Sequence, residues 1–163
     1  MQSRGPVSGV HAYSVATDFR NPADVEIAKL LRRVHNIAVV GMSADPTRPS
    51  HGVARAMQGF GFRVVPVNPN VSAVLGETAY ADLAAVPDPI DLVDVFRRSE
   101  HVDAIVDSVI ARRLPALWLQ EGVIAEQAAQ RAQQAGVFVV MNRCVYREYL
   151  RLIGPPHVET RDR

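Results

Sequence analysis

The chain has 163 residues, about the length of one globular domain, and 48% of them are hydrophobic. Its 18 basic and 17 acidic residues give a net charge of +1, a field too weak to favour binding to nucleic acid or to an anionic membrane surface. The only cysteine, Cys144, excludes an intrachain disulfide and a cysteine-based zinc site.

Targeting signals are the next feature that the sequence addresses. No apolar run approaches the roughly 20 residues that cross a bilayer, and residues 1–20 lack the continuous apolar core of a secretory signal. We therefore expect a cytoplasmic protein that does not bind membranes. The residue pattern divides the chain into a flexible leader at 1–20, one domain at 21–153 and a polar tail at 154–163.

The first half of the predicted domain alternates between helix and strand. A helix is predicted over 22–34 with Asn21 as its N-cap, and a short apolar run over 37–40 predicts the first strand. A turn-rich loop then leads into a second helix that begins near Ser50, and 63–67 predicts the second strand.

The second half repeats this alternation. The predicted elements are a third strand over 90–96, a helix capped by Ser99, a fourth strand over 117–119, a helix over 125–135, a fifth strand over 137–141 and a short helix over 146–152. The strands are continuous apolar runs, which is typical of parallel strands buried on both faces. We therefore predict an α/β fold: a single Rossmann-like, doubly wound sheet of five parallel strands in the order 3-2-1-4-5, with helices on both faces.

A ligand site follows from that order. The neighbours of strand one run off in opposite directions, which opens a crevice at the carboxyl ends of strands one and four. Loops 41–50 and 120–122 would face it, and the helix that begins near Ser50 would direct free N–H groups into it. We therefore expect a ligand that carries phosphate. Because Lys29 is the only lysine, an arginine would hold that phosphate.

Several common nucleotide sites do not fit. No lysine follows Lys29, so a P-loop is excluded, and of the dinucleotide motif G-x-G-x-x-G only Gly41 is present. The second strand ends in Asn68-Pro69-Asn70 without the acidic residue that NAD prefers. An NAD(P)- or nucleotide-dependent enzyme therefore remains the weaker alternative, together with a regulatory or interaction protein.

Five short motifs carry a family resemblance. In this order and spacing, the chain contains VVGMSADPTRPS, VVPVNPN, DLVDVFR, LWLQEGVI and VVMNRC. They resemble the small stand-alone CoA-binding-domain proteins, relatives of the N-terminal CoA-binding domain of the succinyl-CoA synthetase alpha subunit. The resemblance implies a Rossmann-like domain that binds coenzyme A or an acyl-CoA and catalyses no reaction on its own.

The resemblance also implies which residues contact the ligand. The first loop would wrap the nucleotide phosphates, the segment after strand two would lie near the adenosine, and the loop after strand four would lie beside the pantetheine arm. The implied CoA-binding residues are Gly41, Met42, Ser43, Arg48, Ser50, Asn68, Pro69, Phe96, Arg97, Gln120, Glu121 and Gly122. The synthetase relatives have a lysine after the proline, whereas this chain has Asn70, so that contact is missing or comes from an arginine.

Other reactive residues form no catalytic set. Asp91 and Asp94 lie three apart on a strand and would point to opposite faces, so they form no acid–base pair. Arg97 is either a phosphate ligand or an ion-pair partner of Asp94 or Glu100. Cys144 is either a small buried residue or a thiol close enough to form a mixed disulfide with CoA. We expect a small-molecule ligand, and a homo-oligomer or a larger acyl-CoA enzyme stays open as a partner.

Overall fold

The central sheet, in the part of the chain described by the computed structural model (residues 19–156), has five parallel strands. The predicted leader therefore lies outside the described residues up to residue 18, and the predicted tail does so from residue 157. The helices are α1 Asp24–Arg33, α2 Pro49–Gly59, α3 Val102–Ala111, α4 Glu126–Gln134 and α5 Val145–Leu152. The strands are β1 Asn36–Val40, β2 Arg63–Val67, β3 Ala73–Val74, β4 Glu77–Thr78, β5 Leu92–Val95, β6 Ala116–Leu119 and β7 Phe138–Met141.

The predicted fold class is confirmed. The sheet runs β2-β1-β5-β6-β7 with every pair parallel, and β3 and β4 form a separate antiparallel hairpin. In the register of the central strands, Ala38 lies opposite Val65 on one side and Val93 on the other. The chain adds β2 on one side of β1 and the later strands on the other, and this change of side is the feature that opens a ligand crevice in such sheets.

The third predicted strand does not lie where the predicted order 3-2-1-4-5 would put it. That strand, β5, lies beside β1 and not outside β2, so the five strands follow the order 2-1-3-4-5. Outside β2, residues 19–156 form only one parallel bridge, between Val67 and Tyr80. All four residues of β5 are buried, whereas the segment around Tyr80 is largely exposed. A strand that is apolar on both faces is stable at the centre of a sheet, and a polar segment is stable only at its edge.

Two hydrophobic cores lie on opposite faces of the sheet. Alternate strand residues point to each face, as the two-residue period of a strand requires. One core joins the strands to α3 and α4 through residues such as Val106 and Ala129. The other joins them to α1, α2 and α5 through residues such as Leu30, Met57 and Val145. No helix within residues 19–156 is long and apolar enough to cross a bilayer.

Two predicted helix caps have other roles. Asn21 does not cap α1, which begins after Ala23; its side chain instead exchanges hydrogen bonds of 3.0 and 2.8 Å with the backbone of Met141 on the edge strand β7. Ser99 begins a short 3-10 turn ahead of α3, and its hydroxyl accepts a 3.1 Å hydrogen bond from the Ile124 N–H. Both side chains therefore join segments that are distant in sequence.

Candidate functional site

The crevice lies between the carboxyl ends of β1 and β5, not between strands one and four as predicted, because β5 is the neighbour of β1. Gly41 follows β1 with a φ of +83°, and a Cβ added there would lie 2.7 Å from the Phe96 carbonyl oxygen and 2.9 Å from Arg97 Cδ. Glycine is thus required both for the backbone conformation and for the close approach of the segment after β5.

A cavity of about 310 Å³ opens at this point, on the face of the sheet that α3 covers. Its floor comes from the ends of β1 and β2, and its walls come from the segment after β2, the 3-10 turn Leu83–Ala85 and α3. The lining residues are Val40, Gly41, Val67, Asn68, Pro69, Ala81, Asp82, Leu83, Arg97, His101, Ala104, Ile105 and Ser108. Gly41, Asn68, Pro69 and Arg97 are therefore the implied ligand residues that the structure brings together.

Hydrogen bonds fix the wall that follows β2. Asn68 Nδ2 donates a 2.9 Å hydrogen bond to the Met42 carbonyl, and Asn68 Oδ1 accepts one of 2.9 Å from the Asn70 N–H. Across the next turn, the Asn68 N–H donates to the Tyr80 carbonyl at 2.8 Å. The Asn68 amide therefore holds two loops together, and Pro69 is left with its ring at the cavity.

The 3-10 turn is held from the far end of α3. Arg112 Nη1 donates hydrogen bonds to the carbonyls of Leu83 and Val86 at 2.5 and 2.8 Å, and its Nη2 pairs with Asp88 at 2.7 Å. One guanidinium thus anchors the whole segment that closes the cavity opposite α3. No local sequence pattern reveals such a long-range contact.

Residues of α3 were missed by the sequence analysis. His101, Ala104, Ile105 and Ser108 recur at i, i+3, i+4 and i+7, so they form one stripe along the helix and its first turn. This stripe lies next to the buried positions of α3, which face the core. The spacing was visible in the sequence, but small and polar residues beside a hydrophobic stripe are also typical of an ordinary solvated helix face.

The charged groups at the cavity differ in whether they have partners within residues 19–156. Arg97 is exposed and has no ion pair or hydrogen bond within residues 19–156, so the predicted alternative of a salt bridge to Asp94 or Glu100 is not present there. Asp82 accepts a 2.9 Å hydrogen bond from the Ala85 N–H at the start of the 3-10 turn. A planar guanidinium beside apolar walls is suited to bind phosphate.

The first loop is closed by its own hydrogen bonds. The Ser43 N–H donates to Ser50 Oγ at 3.0 Å, the Asp45 N–H donates to Ser43 Oγ at 3.0 Å, and the Thr47 N–H donates to Asp45 Oδ1 at 2.9 Å. The bonds from the backbone and hydroxyl of Thr47 lower the pKa of Asp45. Ser43 and Ser50 therefore shape the loop that was expected to wrap the phosphates.

The other residues of this loop differ in how deeply their side chains are buried. Met42 is completely buried in the core beneath α2, so only its backbone faces the crevice side. Arg48 is the exposed N-cap residue of α2, and its carbonyl accepts the N–H groups of His51 and Gly52. Because Pro49 has no N–H, Ser50 supplies the one first-turn amide of α2 that has no partner among the described residues.

The implied pantetheine loop lies one strand further from the cavity. Gln120 is buried and donates a 2.6 Å hydrogen bond to Asp94, while exposed Glu121 forms a 2.7 Å ion pair with Arg147. The Gly122 N–H donates to Asn142 Oδ1 at 2.8 Å. These residues, like the half-buried Phe96, do not line the cavity, so a ligand would have to extend across the ends of β5 and β6 to reach them.

The thiol of Cys144 lies away from the cavity lining. Cys144 is half-buried at the N-cap of α5, beyond the end of β7. The sheet order separates β7 from β1 by two strands. The structure therefore does not bring this thiol together with the residues that line the cavity.

Comparison with known proteins identifies the family. Residues 35–149 match the family model described as "CoA binding domain". The chain is 40% identical over 126 residues to uncharacterized protein YneT of Bacillus subtilis (strain 168), which covers 77% of this chain and 93% of that protein. The chain therefore belongs to the CoA binding domain family, as its motifs predicted.

Solved structures share the fold. A hypothetical protein from Pyrococcus horikoshii OT3 is 32% identical with a TM-score of 0.79, over 85% of this chain and all of that one. An acetyl-coenzyme A synthetase of Ca. Korarchaeum cryptofilum is 26% identical with a TM-score of 0.59, over 68% of this chain but 27% of the enzyme. The same fold thus occurs alone and as part of a longer enzyme.

Proposed function

We propose that this member of the CoA binding domain family binds coenzyme A or an acyl-CoA in the crevice between β1 and β5, and that it does not catalyse a reaction alone. The observation that carries the proposal is the cavity beside β1, in which an unpaired Arg97 meets apolar walls. Its volume of about 310 Å³ is near the lower limit of roughly 300–1,000 Å³ for small-molecule pockets. It therefore suits one nucleoside, not the whole of CoA.

The proposal places the adenosine in the cavity and the phosphates at its rim. Val67, Pro69, Leu83 and Ile105 offer apolar surface to a base, and Arg97 offers a planar fork to phosphate oxygens. On the other side of the rim, Arg48 and the Ser50 N–H at the start of α2 are available for a second phosphate contact. The pantetheine arm would then run across the ends of β5 and β6 toward Glu121 and Gly122.

Ligand panels test the proposal directly. We expect CoA and acetyl-CoA to stabilise the protein in thermal unfolding, by about 2.7 kcal/mol at a concentration near 100 times Kd, whereas NAD, NADP and ATP leave it unchanged. Stabilisation by NAD or NADP alone would support the nucleotide-dependent enzyme instead. Incubation with acetyl-CoA should release no free CoA, and steady turnover would contradict the non-catalytic assignment.

Adjacent arginines provide a matched pair of variants. Arg97 lines the cavity, and the exposed Arg98 beside it does not. Removing a charge-assisted phosphate contact costs about 1.5–3 kcal/mol, so Arg97→Gln should weaken CoA binding about tenfold or more in calorimetry. Arg98→Gln should bind within about twofold of the unaltered protein. Equal losses in both variants would indicate general electrostatic attraction and would overturn the placement of the phosphates.

A component of a larger acyl-CoA enzyme is a second candidate. It is favoured by the acetyl-coenzyme A synthetase in which a similar domain forms 27% of the chain. In this version the bound CoA would be presented to a separate catalytic protein. Co-purification with an acyl-CoA enzyme that depends on added CoA would support it, and a constant monomer or homo-oligomer in the presence of CoA would count against it.

A further inference from the structure

A buried carboxyl and a buried amide are paired beneath the crevice. Asp94 on β5 is 1% exposed, Gln120 at the end of β6 is 4% exposed, and Gln120 Nε2 lies 2.6 Å from Asp94 Oδ1. In the register of the sheet, Asp94 lies between Val39 and Trp118, which both belong to the core under α1, α2 and α5. The pair is therefore on the opposite face of the sheet from the cavity and takes no part in its lining.

Within residues 19–156, no cation forms an ion pair with Asp94 that would stabilise a buried negative charge. β1 and β6 present the uncharged residues Val39, Trp118 and Gln120. The charged or titratable groups of the helices on this face are His51 and Arg55 on α2, Asp24, Glu26, Lys29, Arg32 and Arg33 on α1, Arg143 before α5, and Tyr146, Arg147, Glu148, Tyr149 and Arg151 on α5. Within residues 19–156 none of them forms an ion pair or hydrogen bond with Asp94; the Arg143 guanidinium instead lies 3.8 Å from Asp24 and Glu148.

Desolvation accordingly decides the charge state of this carboxyl. Burial is the largest influence and raises the pKa of Asp94 to about 7, while the hydrogen bonds from Gln120 and the Val95 backbone act in the opposite direction. Near neutral pH the folded protein therefore contains both forms. Because Gln120 donates to Oδ1, the proton of the neutral form belongs on Oδ2.

We propose that Asp94 couples ligand binding in the crevice to uptake of one proton, so that an anionic, CoA-type ligand is bound with Asp94 as the neutral carboxylic acid. Arg97 follows Asp94 by three residues, so their Cα atoms lie about 10 Å apart, and because the two side chains point to opposite faces a phosphate at Arg97 would lie about 15 Å from the carboxyl. At that distance and an effective dielectric of about 20, one pair of like charges weakens binding about sixfold. The proton moves from buffer to Asp94 Oδ2 as the ligand binds, and it returns when the ligand leaves.

Calorimetry in two buffers tests this coupling, which rests on the proposed function. The titrations use CoA and dephospho-CoA at pH 7.5 in buffers of different protonation enthalpy. Dephospho-CoA lacks the phosphate monoester, whose second ionisation falls near pH 6, so its binding reports only protons taken up by the protein. We expect uptake of about 0.4 proton per ligand at this pH and an affinity that falls about two- to threefold between pH 7 and pH 8.

Two variants test whether Asp94 is the group that takes up the proton. Asp94→Asn imitates the neutral acid, and it should bind dephospho-CoA without proton uptake and with an affinity that does not change above pH 7. Glu100→Gln, which removes an exposed acid near the same crevice, should retain the uptake. Uptake that persists in Asp94→Asn would overturn the assignment and move the proton to a histidine such as His101.

Failure of the proposed coupling can be distinguished from failure of the proposed function. Unaltered protein that binds neither ligand would contradict the proposed function, and the coupling would fail with it. Unaltered protein that binds dephospho-CoA without taking up a proton would overturn the coupling alone. Because proton uptake is measured on the unaltered protein, it tests the coupling even if the Asp94→Asn variant does not fold.

Discussion

The α2 side and the α3 side of the crevice differ in what their polar side chains contact. On the α2 side, the hydrogen bonds of Ser43, Ser50 and the Asp94–Gln120 pair are made within the protein. On the α3 side, the side chains of Arg97 and His101 face an open cavity and bond to no described residue. Polar residues near a crevice therefore fall into two kinds, those that hold its walls and those that are available to a ligand. Only their hydrogen-bond partners distinguish the two kinds.

The largest expected effect concerns the buried acid on the α2 side. Because the pKa of Asp94 is about 7 in the folded protein and 3.8 ordinarily, the folded state holds a proton that the unfolded state loses between about pH 4 and pH 7. Over this window stability falls as pH rises, by at most about 1.4 kcal/mol per unit, and outside it the contribution is constant. Asp94→Asn should remove this slope, so it should be the more stable protein at pH 8 by up to about 4 kcal/mol.

Urea unfolding of both proteins from pH 3.5 to pH 8 measures this difference. The two curves should approach each other at the acid end. If Asp94→Asn ran parallel to the unaltered protein across the whole range, the carboxyl would be ionised in the fold and its surroundings would have to contain a compensating charge.

Gly41 lies where the two sides meet, and its replacement should have the next largest effect. In Gly41→Ala the new Cβ would meet the Phe96 carbonyl at 2.7 Å, and the residue would also hold a positive φ. Together these should lower the free energy of unfolding by about 3 kcal/mol. Gly136→Ala has a similar φ of +90° but nothing within 4 Å, so it should lose only about 1 kcal/mol. Equal losses in the two variants would show that Phe96 and Arg97 can move aside.

Filling the cavity tests the α3 side alone. Ala104→Leu adds a side chain into the cavity, and steric exclusion of the base should weaken CoA binding by about 2 kcal/mol. Ala111→Leu places the same side chain at an exposed position of the same helix outside the cavity, and it should bind CoA normally. Calorimetry compares the two. Normal binding by Ala104→Leu would place the nucleoside elsewhere and would favour the α2 side.

The smallest expected effect is at the end of β6. Glu121 and Arg147 are 60% and 72% exposed, and exposed pairs contribute about 0–1 kcal/mol. Arg147→Ala should therefore change the free energy of unfolding by less than about 1 kcal/mol, as measured in urea at low salt. A larger loss would mean that the internal bonds of loop 120–122 contribute as much to stability as those of loop 41–50.

Much of the fold was predictable because it depends on local patterns. The helical spacing of Ile27, Leu30, Leu31 and Val34 and the apolar strands identified the elements to within a few residues. The position of β5 was not predictable in this way. Its apolar run fits any central position in a parallel sheet. Whether β5 lies beside β1 or outside β2 depends on how segment 68–91 crosses the sheet.

The site was predicted in part for the same reason. The family resemblance implied Gly41, Asn68, Pro69 and Arg97, and their positions directly after strands bring them to one cavity. Ser43, Ser50 and Gln120 also lie beside strand ends or a helix start, yet their polar groups are occupied within the protein. The α3 stripe was missed because its place depends on the crossover after β5 and not on any local motif.

The sequence by itself determined the family and the alternation of helix and strand, since both follow from residue type and spacing along the chain. Only the tertiary structure decided which strand is the neighbour of β1, which polar side chains are satisfied and where the cavity opens. The physical reason is that hydrogen-bond partners and burial are set by residues far apart in sequence. Asp94 shows this most clearly: it reads as an ordinary strand acid, and its burial against Gln120 gives it a pKa of about 7.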